Sequence, residues 1–353
     1  MSDEYRKNLQ VRQREKLHDM LSEMPEFAKK YFDDMILHQN SSNTVLSYCY
    51  DMKLFFDYLV LQSGFKAYAD SIATLPLDSL DKLNRDDLME YLSHLSYHKD
   101  KHGKTVINSE STMRRKVASL RSFYFFYFKN GYIKTNPASL ITTPKKHEKE
   151  IIRLDRGEVR NILDVVNTGD GLSEKQLVTY KKTQYRDVLI LYTFLGTGMR
   201  VSEMVGLNVS DVDFKNACFH VIRKGGNEAK IYFGPDIEKA LHDYLHFERD
   251  KYLIAAPSDS IGTDALFLSL KGMRLTVRAI ENLVKKYAVA AGLGTKISPH
   301  KLRATFGTLL YEETSDIYLV ADALGHKSVD TTRAHYADIT ESHKRRAAQI
   351  DIF

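Results

Sequence analysis

The sequence predicts a mainly α-helical fold with one small β-sheet, divided between two domains. The chain has 353 residues, more than a single hydrophobic core usually serves. Apolar residues recur at helical spacing through most of it, whereas two β-rich runs flank a Gly-Gly turn in the second half. A charged stretch without apolar residues, 144–150, separates the halves. We therefore expect a helical domain over 1–143, a linker over 144–150 and a mixed α/β domain over 151–353.

The first domain consists of predicted helices. Five stretches carry apolar residues at helical spacing, and the last four begin with a start signal such as Pro, Ser or Asn. The fourth has acidic residues in its first turn, and the fifth is closed by Gly131. These stretches cover residues 5–24, 25–32, 41–59, 84–92 and 109–130.

The fifth predicted helix is basic in its first half and aromatic in its second, over 123–128. One interpretation is a core helix with a solvated basic end. The other places the basic turn against DNA phosphates while the aromatic half anchors the helix in its domain. The candidate DNA-binding residues are Arg114, Arg115, Lys116 and Arg121.

In the second domain a helix is predicted from Gly157, and 185–195 is a strongly apolar helix. The runs 218–223 and 229–233 lie on either side of the turn 224–228 and predict a β-hairpin. Helices resume from residue 236 to the end.

Composition narrows the class of protein. Lys and Arg total 51 against 46 Asp and Glu, a formal charge of +5 that permits a polyanionic partner without requiring one. The two cysteines, Cys49 and Cys218, form no disulfide framework and no zinc motif, and fit buried thiols in a reducing cytoplasm. The N-terminus is too charged for a signal peptide, and no apolar run approaches ~20 residues, so we expect no membrane span.

Four segments of the second domain carry candidate chemistry, and each has a plainer interpretation. Arg200 follows a Gly-x-Gly turn, and Glu203 can simply pair with it. Lys224 lies beside the hairpin tip, where exposed lysines are common. His300 and Arg303 share one face of a helix that begins at 298–299, as surface pairs often do. The fourth segment runs over 324–336 and contains a Leu-Gly-His sequence and a tyrosine.

Together these segments suit attack on a phosphodiester. Arginine forks match the non-bridging phosphate oxygens and stay charged. A tyrosine hydroxyl, with a pKa near ~10, needs help to lose its proton, which histidine can give near neutral pH. A lysine on a hairpin can protonate the leaving 5′-oxygen. The candidate catalytic residues are Arg200, Lys224, His300, Arg303, His326 and Tyr336.

The order and spacing of these motifs resemble the tyrosine recombinase, or phage integrase, family. The motifs span 196–336, and the helical first part resembles the core-binding, SAM-like domain of the family. Within the family the chain is most similar to Xer-type site-specific recombinases of the XerS kind, which carry a similar additional N-terminal helix. Ala304 stands where the family often has a second His. The interval from His326 to Tyr336 is ten residues, one longer than is expected for most Xer proteins, and integrases of conjugative elements can show this longer interval.

The resemblance implies a role for each candidate. Arg200 and Arg303 would hold the scissile phosphate, and Glu203 would organise them. His300 and His326 would support proton transfer and phosphate contact. Lys224 would act as general acid, and Tyr336 would be the nucleophile.

The resemblance also implies a two-domain clamp on double-stranded DNA at a specific site, a tetramer in the synapse and a C-terminal docking tail over 342–353. It implies no cofactor, no metal and no membrane, and a cytoplasmic, nucleoid-associated enzyme that resolves chromosome dimers. Accessory protein partners stay open. The alternatives are an integrase or transposase of a mobile element, a monomeric type IB topoisomerase, and a DNA-binding protein that has lost catalysis.

Overall fold

The computed structural model describes residues 3–38, 40–61, 71–99, 103–143, 152–223, 226–254 and 264–325. The chain divides into two compact units, Lys7–Lys149 and Glu150–Phe353, and the second also takes Met1–Arg6. Tyr5 packs against the apolar core of the second unit. The first six residues therefore group with that unit, although the sequence predicts them as the start of the first domain. The predicted linker, 144–150, lies outside the described residues.

The first part of the chain is helical, as the sequence predicts. Each predicted stretch corresponds to one helix, and short 3₁₀ turns lie over Ile72–Thr74, Leu77–Lys82 and Pro137–Leu140. The helices are α1 (Asp3–Ser22), α2 (Glu26–Leu37), α3 (Ser42–Leu61), α4 (Arg85–Ser96) and α5 (Glu110–Lys129).

The helix ends follow the capping signals in the sequence. The Asn84 side chain accepts hydrogen bonds from the backbone N–H groups of Asp86 at 2.7 Å and Asp87 at 3.2 Å, which begins α4. The Ser109 hydroxyl accepts the N–H of Thr112 at 3.3 Å at the start of α5. Asn130 caps the other end of α5, before Gly131 with φ +71°. These boundaries confirm the predicted helices.

A two-stranded antiparallel sheet in the first unit was not predicted. It pairs β1 (Tyr97–Lys99) with β2 (Thr105–Ile107), and Tyr97 lies opposite Ile107. Both strands are three residues long, too short to show the alternation by which a strand is recognised in sequence. The first unit is therefore mainly rather than wholly helical.

The aromatic half of α5 lies in the core of the first unit. Phe123, Tyr124 and Tyr127 are fully buried. Phe27 meets the ring of Tyr127 edge-on, with centroids 5.8 Å apart. The predicted anchoring role of this half is confirmed for the three buried rings, whereas Phe125 and others on the opposite face are exposed.

The second unit is also mostly helical. A one-turn π-helix, Leu245–Arg249, joins the helices Pro235–Tyr244 and Asp250–Ile254 into one continuous helical segment. Among the described residues, no helix of either unit is long and apolar enough to cross a membrane. The helices are α6 (Arg156–Thr168), α7 (Glu174–Thr197), α8 (Val201–Val205), α9 (Pro235–Tyr244), α10 (Asp250–Ile254), α11 (Val277–Ala290), α12 (Pro299–Thr314) and α13 (Ile317–Leu324).

The predicted hairpin is present as part of a three-stranded antiparallel sheet. Its strands are β3 (Val212–Asp213), β4 (Cys218–Ile222) and β5 (Glu228–Tyr232), in the order β3-β4-β5. Phe219 and Ile231 are cross-strand partners and both are buried. The sheet therefore covers one side of the core of this unit and carries its hairpin turn at the far end of β4.

A buried ionic cluster holds α7 and α11 together. Asp187 is 0% exposed and accepts hydrogen bonds from Lys286 Nζ at 3.0 Å and Tyr287 Oη at 2.8 Å. Arg186 Nη2 pairs with the same carboxylate at 2.8 Å. Burial alone raises the pKa of Asp187, but Arg186 and Lys286 outweigh it and hold that pKa below 3.8. The carboxylate therefore stays charged inside the unit.

Candidate active site

Arg200 is placed by a tight turn between α7 and α8. Gly198 ends α7 with φ +61°, and its N–H donates to the carbonyl of Phe194 at 3.0 Å. A Cβ on Gly198 would lie 2.4 Å from Cδ1 of Phe306, so glycine is required by space as well as by backbone conformation. Arg200 then occupies the N-cap position of α8.

Glu203 orients Arg200 through two hydrogen bonds. One carboxylate oxygen accepts the backbone N–H of Arg200 at 2.9 Å, and the other accepts guanidinium Nη1 at 2.9 Å. Glu203 is only 3% exposed, whereas the Arg200 side chain is 34% exposed. The carboxylate thus fixes the guanidinium from the buried side and leaves part of it accessible. This geometry suits the organising role that the resemblance implies for Glu203.

Arg303 lies beside Arg200 although the two are a hundred residues apart in sequence. It projects from the second turn of α12, is 6% exposed, and donates from Nη1 to the carbonyl of Gly198. Its Nη2 donates to the carbonyl of Leu324. Arg200 Nη2 donates to the next carbonyl, that of Gly325, at 3.1 Å. The two arginines therefore meet at the C-terminal end of α13.

Arg223 is a functional candidate that the sequence analysis missed. It follows β4 directly, and its Nη2 lies 3.4 Å from the carbonyl of Ala323. Its guanidinium packs on Gly325, where an added Cβ would lie 2.0 Å from Nη1. The available signal was its position next to Lys224, but charged residues at strand ends are common. Arg223 brings the hairpin to the same helix end that holds Arg200 and Arg303.

Of the remaining catalytic candidates, only His300 lies within the described residues. His300 is exposed on α12, one turn before Arg303. Lys224, His326 and Tyr336 lie outside the described residues, and so does the predicted docking tail. Their sequence neighbours Arg223 and Gly325 both contribute to the arginine cluster. The site roles of all six catalytic candidates stay predictions.

The arrangement suits an anionic ligand. Helix C-termini carry carbonyls without intrahelical partners and a partial negative charge, which attracts guanidinium groups. Three guanidinium groups converge on the carbonyls of Ala323, Leu324 and Gly325, and Glu203 supplies one buried carboxylate. The net positive charge and the planar donor forks match the oxygens of a phosphodiester.

One group of described residues has the composition of a metal site, but its contacts argue against one. Asp213, Cys218 and His220 place their ligand atoms within 4.8 Å of one another. Hydrogen bonds from the side chain and backbone of Asn216 occupy the carboxylate and lower the pKa of Asp213 to about 2. Burial raises the pKa of the Cys218 thiol, which opposes the thiolate that a metal needs. We therefore interpret the group as part of the hydrogen-bonded turn between β3 and β4.

The candidate DNA-binding residues of α5 have partners within the first unit. Lys116 is 5% exposed, and its Nζ pairs with buried Asp51 at 3.1 Å, so this residue does not belong to a solvated basic end of the helix. Arg115 also pairs with Asp51, although its side chain is 41% exposed. Arg121 donates to Thr143 Oγ1 at 2.9 Å. DNA contact by the four candidates stays a prediction, and the burial of Lys116 argues against it at that residue.

Family models match both units of the chain. The phage integrase family matches residues 153–343, and the N-terminal SAM-like domain of phage integrases matches residues 28–131. The first match alone covers more than half of the chain. It includes all six candidate catalytic residues.

Individual relatives and solved structures agree with these matches. "Tyrosine recombinase XerC" of Caldanaerobacter subterraneus subsp. tengcongensis is 34% identical over 87% of this chain and 81% of the relative. "Tyrosine recombinase XerC" of Oceanobacillus iheyensis is 30% identical over 83% and 92%. A XerH site-specific recombinase bound to palindromic difH substrate has a similar fold, with TM-score 0.64 and 23% identity over 86% of this chain and 79% of that one. The Tn1549 transposon integrase in complex with circular intermediate DNA gives TM-score 0.62 at 19% identity over 90% and 98%. The chain therefore belongs to the phage integrase family, the tyrosine recombinases, which cleave and rejoin DNA strands by transesterification.

Proposed function

We propose that this recombinase cleaves double-stranded DNA at a specific site through a 3′-phosphotyrosine on Tyr336. The observation that carries the proposal is the pairing of Arg200 and Arg303, whose guanidinium groups donate to the adjacent carbonyls of Gly325 and Leu324. Two neighbouring forks of this kind suit the two non-bridging oxygens of one phosphate. The two carbonyls that accept these hydrogen bonds belong to Leu324 and Gly325. Tyr336 follows Gly325 by eleven residues in the sequence.

In the proposed reaction the phenolic oxygen of Tyr336 attacks the scissile phosphorus. A new P–O bond forms to the tyrosine, and the bond between phosphorus and the 5′-oxygen breaks with its electron pair on that oxygen. His300 and His326 assist the removal of the phenolic proton, and Lys224 donates a proton to the leaving oxygen. Arg200 and Arg303 stabilise the charge that develops on the phosphorane.

Rejoining is the reverse of cleavage and needs no external energy source. The phosphotyrosine ester conserves the energy of the broken phosphodiester, and a 5′-hydroxyl from the exchanged strand attacks it. Glu203 contributes by keeping Arg200 in register with Arg303. The scheme therefore requires only the chain and its DNA.

We further propose that the enzyme acts as a tetramer on chromosomal DNA and resolves chromosome dimers in the cytoplasm at the nucleoid. This role is supported by relatives named Xer recombinases that align over more than four-fifths of the chain. The finer assignment to the XerS kind rests on the additional N-terminal helix, which corresponds to α1.

The test is the formation of a covalent protein–DNA adduct on a nicked, labelled duplex that carries the site from the source genome. The full chain is expected to give an adduct on denaturing gels, and Tyr336→Phe is expected to give none while binding the DNA equally well. Tyr318→Phe is the matched control, because Tyr318 is 67% exposed on α13, the helix whose C-terminal end holds the arginine cluster. It should form the adduct at the normal rate.

Loss of the adduct in Tyr318→Phe with retention in Tyr336→Phe would reassign the nucleophile. Tight DNA binding by the full chain without any adduct would overturn the catalytic proposal. For the cellular role, a strain without the protein should accumulate chromosome dimers. A strain that instead fails only to integrate or excise a mobile element would contradict the proposed role.

A further inference from the structure

The backbone of Arg223 closes the turn of the β4–β5 hairpin. Its N–H donates to the carbonyl of Asn227 at 2.7 Å, and its own carbonyl accepts the N–H of Gly226 at 3.1 Å. Gly226 has φ +86°, a conformation that glycine adopts without strain. Lys224, the proposed general acid, is the next residue in the sequence. Because the two residues are joined by a peptide bond, any displacement of the Arg223 backbone also shifts the start of Lys224.

The side chain of Arg223 connects this turn to α13. Nη2 lies 3.4 Å from the carbonyl of Ala323, and the guanidinium packs against Gly325 so closely that a Cβ there would meet Nη1 at 2.0 Å. Its buried Nε has no hydrogen-bond partner among the residues that the structure describes. The contact between Arg223 and α13 thus depends on one long hydrogen bond and on the absence of a Cβ atom at Gly325.

Three arginines from three different segments bind three successive carbonyls at this helix end. Arg223 reaches Ala323, Arg303 reaches Leu324, and Arg200 reaches Gly325. Because the carbonyls belong to one helix end, they fix the hairpin, the start of α12 and the α7–α8 turn at defined distances from one another. Arg223 is the residue that ties the hairpin to the other two segments.

We propose that Arg223 is a positioning residue for proton transfer to the leaving 5′-oxygen. It holds the end of β4, which Lys224 follows directly in the sequence, at the helix end that also holds Arg200 and Arg303. The inference rests on the proposed function. During cleavage the P–O5′ bond breaks, and the proton passes from the Lys224 ammonium to the 5′-oxygen. A hairpin released from α13 delivers that proton less often, because a misplacement of about 1 Å can cost about 10²-fold in rate.

The test compares two DNA substrates of the same sequence. One carries an ordinary scissile phosphate, and the other carries sulfur in place of the bridging 5′-oxygen. A thiol has a pKa near ~8.5, so a thiolate leaves without protonation, unlike an alkoxide. We expect Arg223→Ala to form the adduct about 10²-fold more slowly on the oxygen substrate and at nearly the normal rate on the sulfur substrate. Lys224→Ala should show the same pattern.

Two further variants separate this role from others. Lys230→Ala removes an exposed basic residue from β5 of the same hairpin and should leave both rates unchanged. Arg200→Ala removes a phosphate contact and should slow both substrates alike. Gel shifts should give equal DNA affinity for Arg223→Ala and the unaltered chain.

An equal loss on both substrates would overturn the inference, since Arg223 would then contact the phosphate or support the fold. Unchanged cleavage of the oxygen substrate by Arg223→Ala would overturn it as well. If the unaltered chain forms no adduct on either substrate, the proposed function fails instead, so the two failures are distinguishable.

Discussion

Arg200 and Arg303 donate hydrogen bonds to adjacent backbone carbonyls, those of Gly325 and Leu324. Both acceptors belong to the main chain, so the pairing depends on the course of the backbone at the end of α13. Gly325 adopts φ +60° there, with its N–H bonded back to Asp322 at 2.8 Å. The arginine pair is thus organised by how one helix ends.

Replacement of Gly325 by Ala should damage both stability and cleavage. Ala in the left-handed conformation costs roughly 1–2 kcal/mol, and its Cβ would displace the Arg223 guanidinium. The free energy of unfolding, measured in urea, should fall by more than the conformational cost alone, and adduct formation should slow. Gly292→Ala is the control, because Gly292 has φ +75° and nothing within 4 Å of the added carbon.

Gly292→Ala should lower the free energy of unfolding only by the conformational cost and should leave the cleavage rate unchanged. Combination of Gly325→Ala with Arg223→Ala should recover the steric part of the stability loss, because the crowded guanidinium is gone. Additive losses in the double variant would show that the two residues do not interact.

Arg200→Lys should slow adduct formation by about 10²–10³-fold. Lysine keeps the charge, but a single ammonium cannot bond Glu203 and the Gly325 carbonyl in the planar geometry that the fork allows. Single-turnover cleavage measures the effect. Arg278→Lys is the matched control, because Arg278 pairs with Glu281 at the same three-residue spacing but is 80% exposed. A comparable loss in this control would point to a general effect of such pairs.

Asp187→Asn should destabilise the second unit by about 3–5 kcal/mol, because it removes the carboxylate that neutralises one buried and one partly buried cation. The partners concerned are Arg186 and Lys286. Urea unfolding followed by circular dichroism measures the change. Asp170→Asn, at an exposed position, should have almost no effect.

The same carboxylate makes a specific contribution to pH dependence. Arg186 and Lys286 hold the pKa of Asp187 below its ordinary value of 3.8 in the folded chain. Its stabilisation is therefore complete above that pH and is lost as the pH falls through the folded pKa. Asp187→Asn should show a shallower loss of stability in this acid range than the unaltered chain, and parallel curves would contradict the assignment.

The salt dependence of DNA binding tests the residues of α5. Arg114→Ala should lower the slope of log affinity against log salt by about 1, as expected for one lost phosphate contact. Lys116→Met should leave that slope unchanged, because Lys116 is buried against Asp51. A reduced slope in Lys116→Met would show that its ammonium reaches DNA, and an unchanged slope in Arg114→Ala would remove that residue from the DNA-binding surface.

Several parts of the fold could be predicted because their causes are local. Capping residues such as Asn84 and Ser109 begin their helices through hydrogen bonds two or three residues away. The hairpin around residues 224–228 follows from two alternating runs and a Gly-Gly turn. The β1–β2 sheet was missed because strands of three residues are too short to carry a periodic signal.

Local sequence also misled where a long-range partner decides the outcome. Lys116 looks like a solvated residue in a basic turn, but Asp51, sixty-five residues earlier, draws it into the core. Arg223 looks like an ordinary strand-end charge, but α13 gives it a place in the arginine cluster.

The sequence by itself determined the family, the helical architecture and the candidate residues, because motif spacing and caps are properties of neighbouring residues. Only the tertiary structure decided that Arg200, Arg223 and Arg303 share one helix end. Burial and hydrogen bonding between distant segments depend on how the chain packs. Helix α13 supplies the carbonyls, and its left-handed Gly325 supplies the space, that bring these segments together.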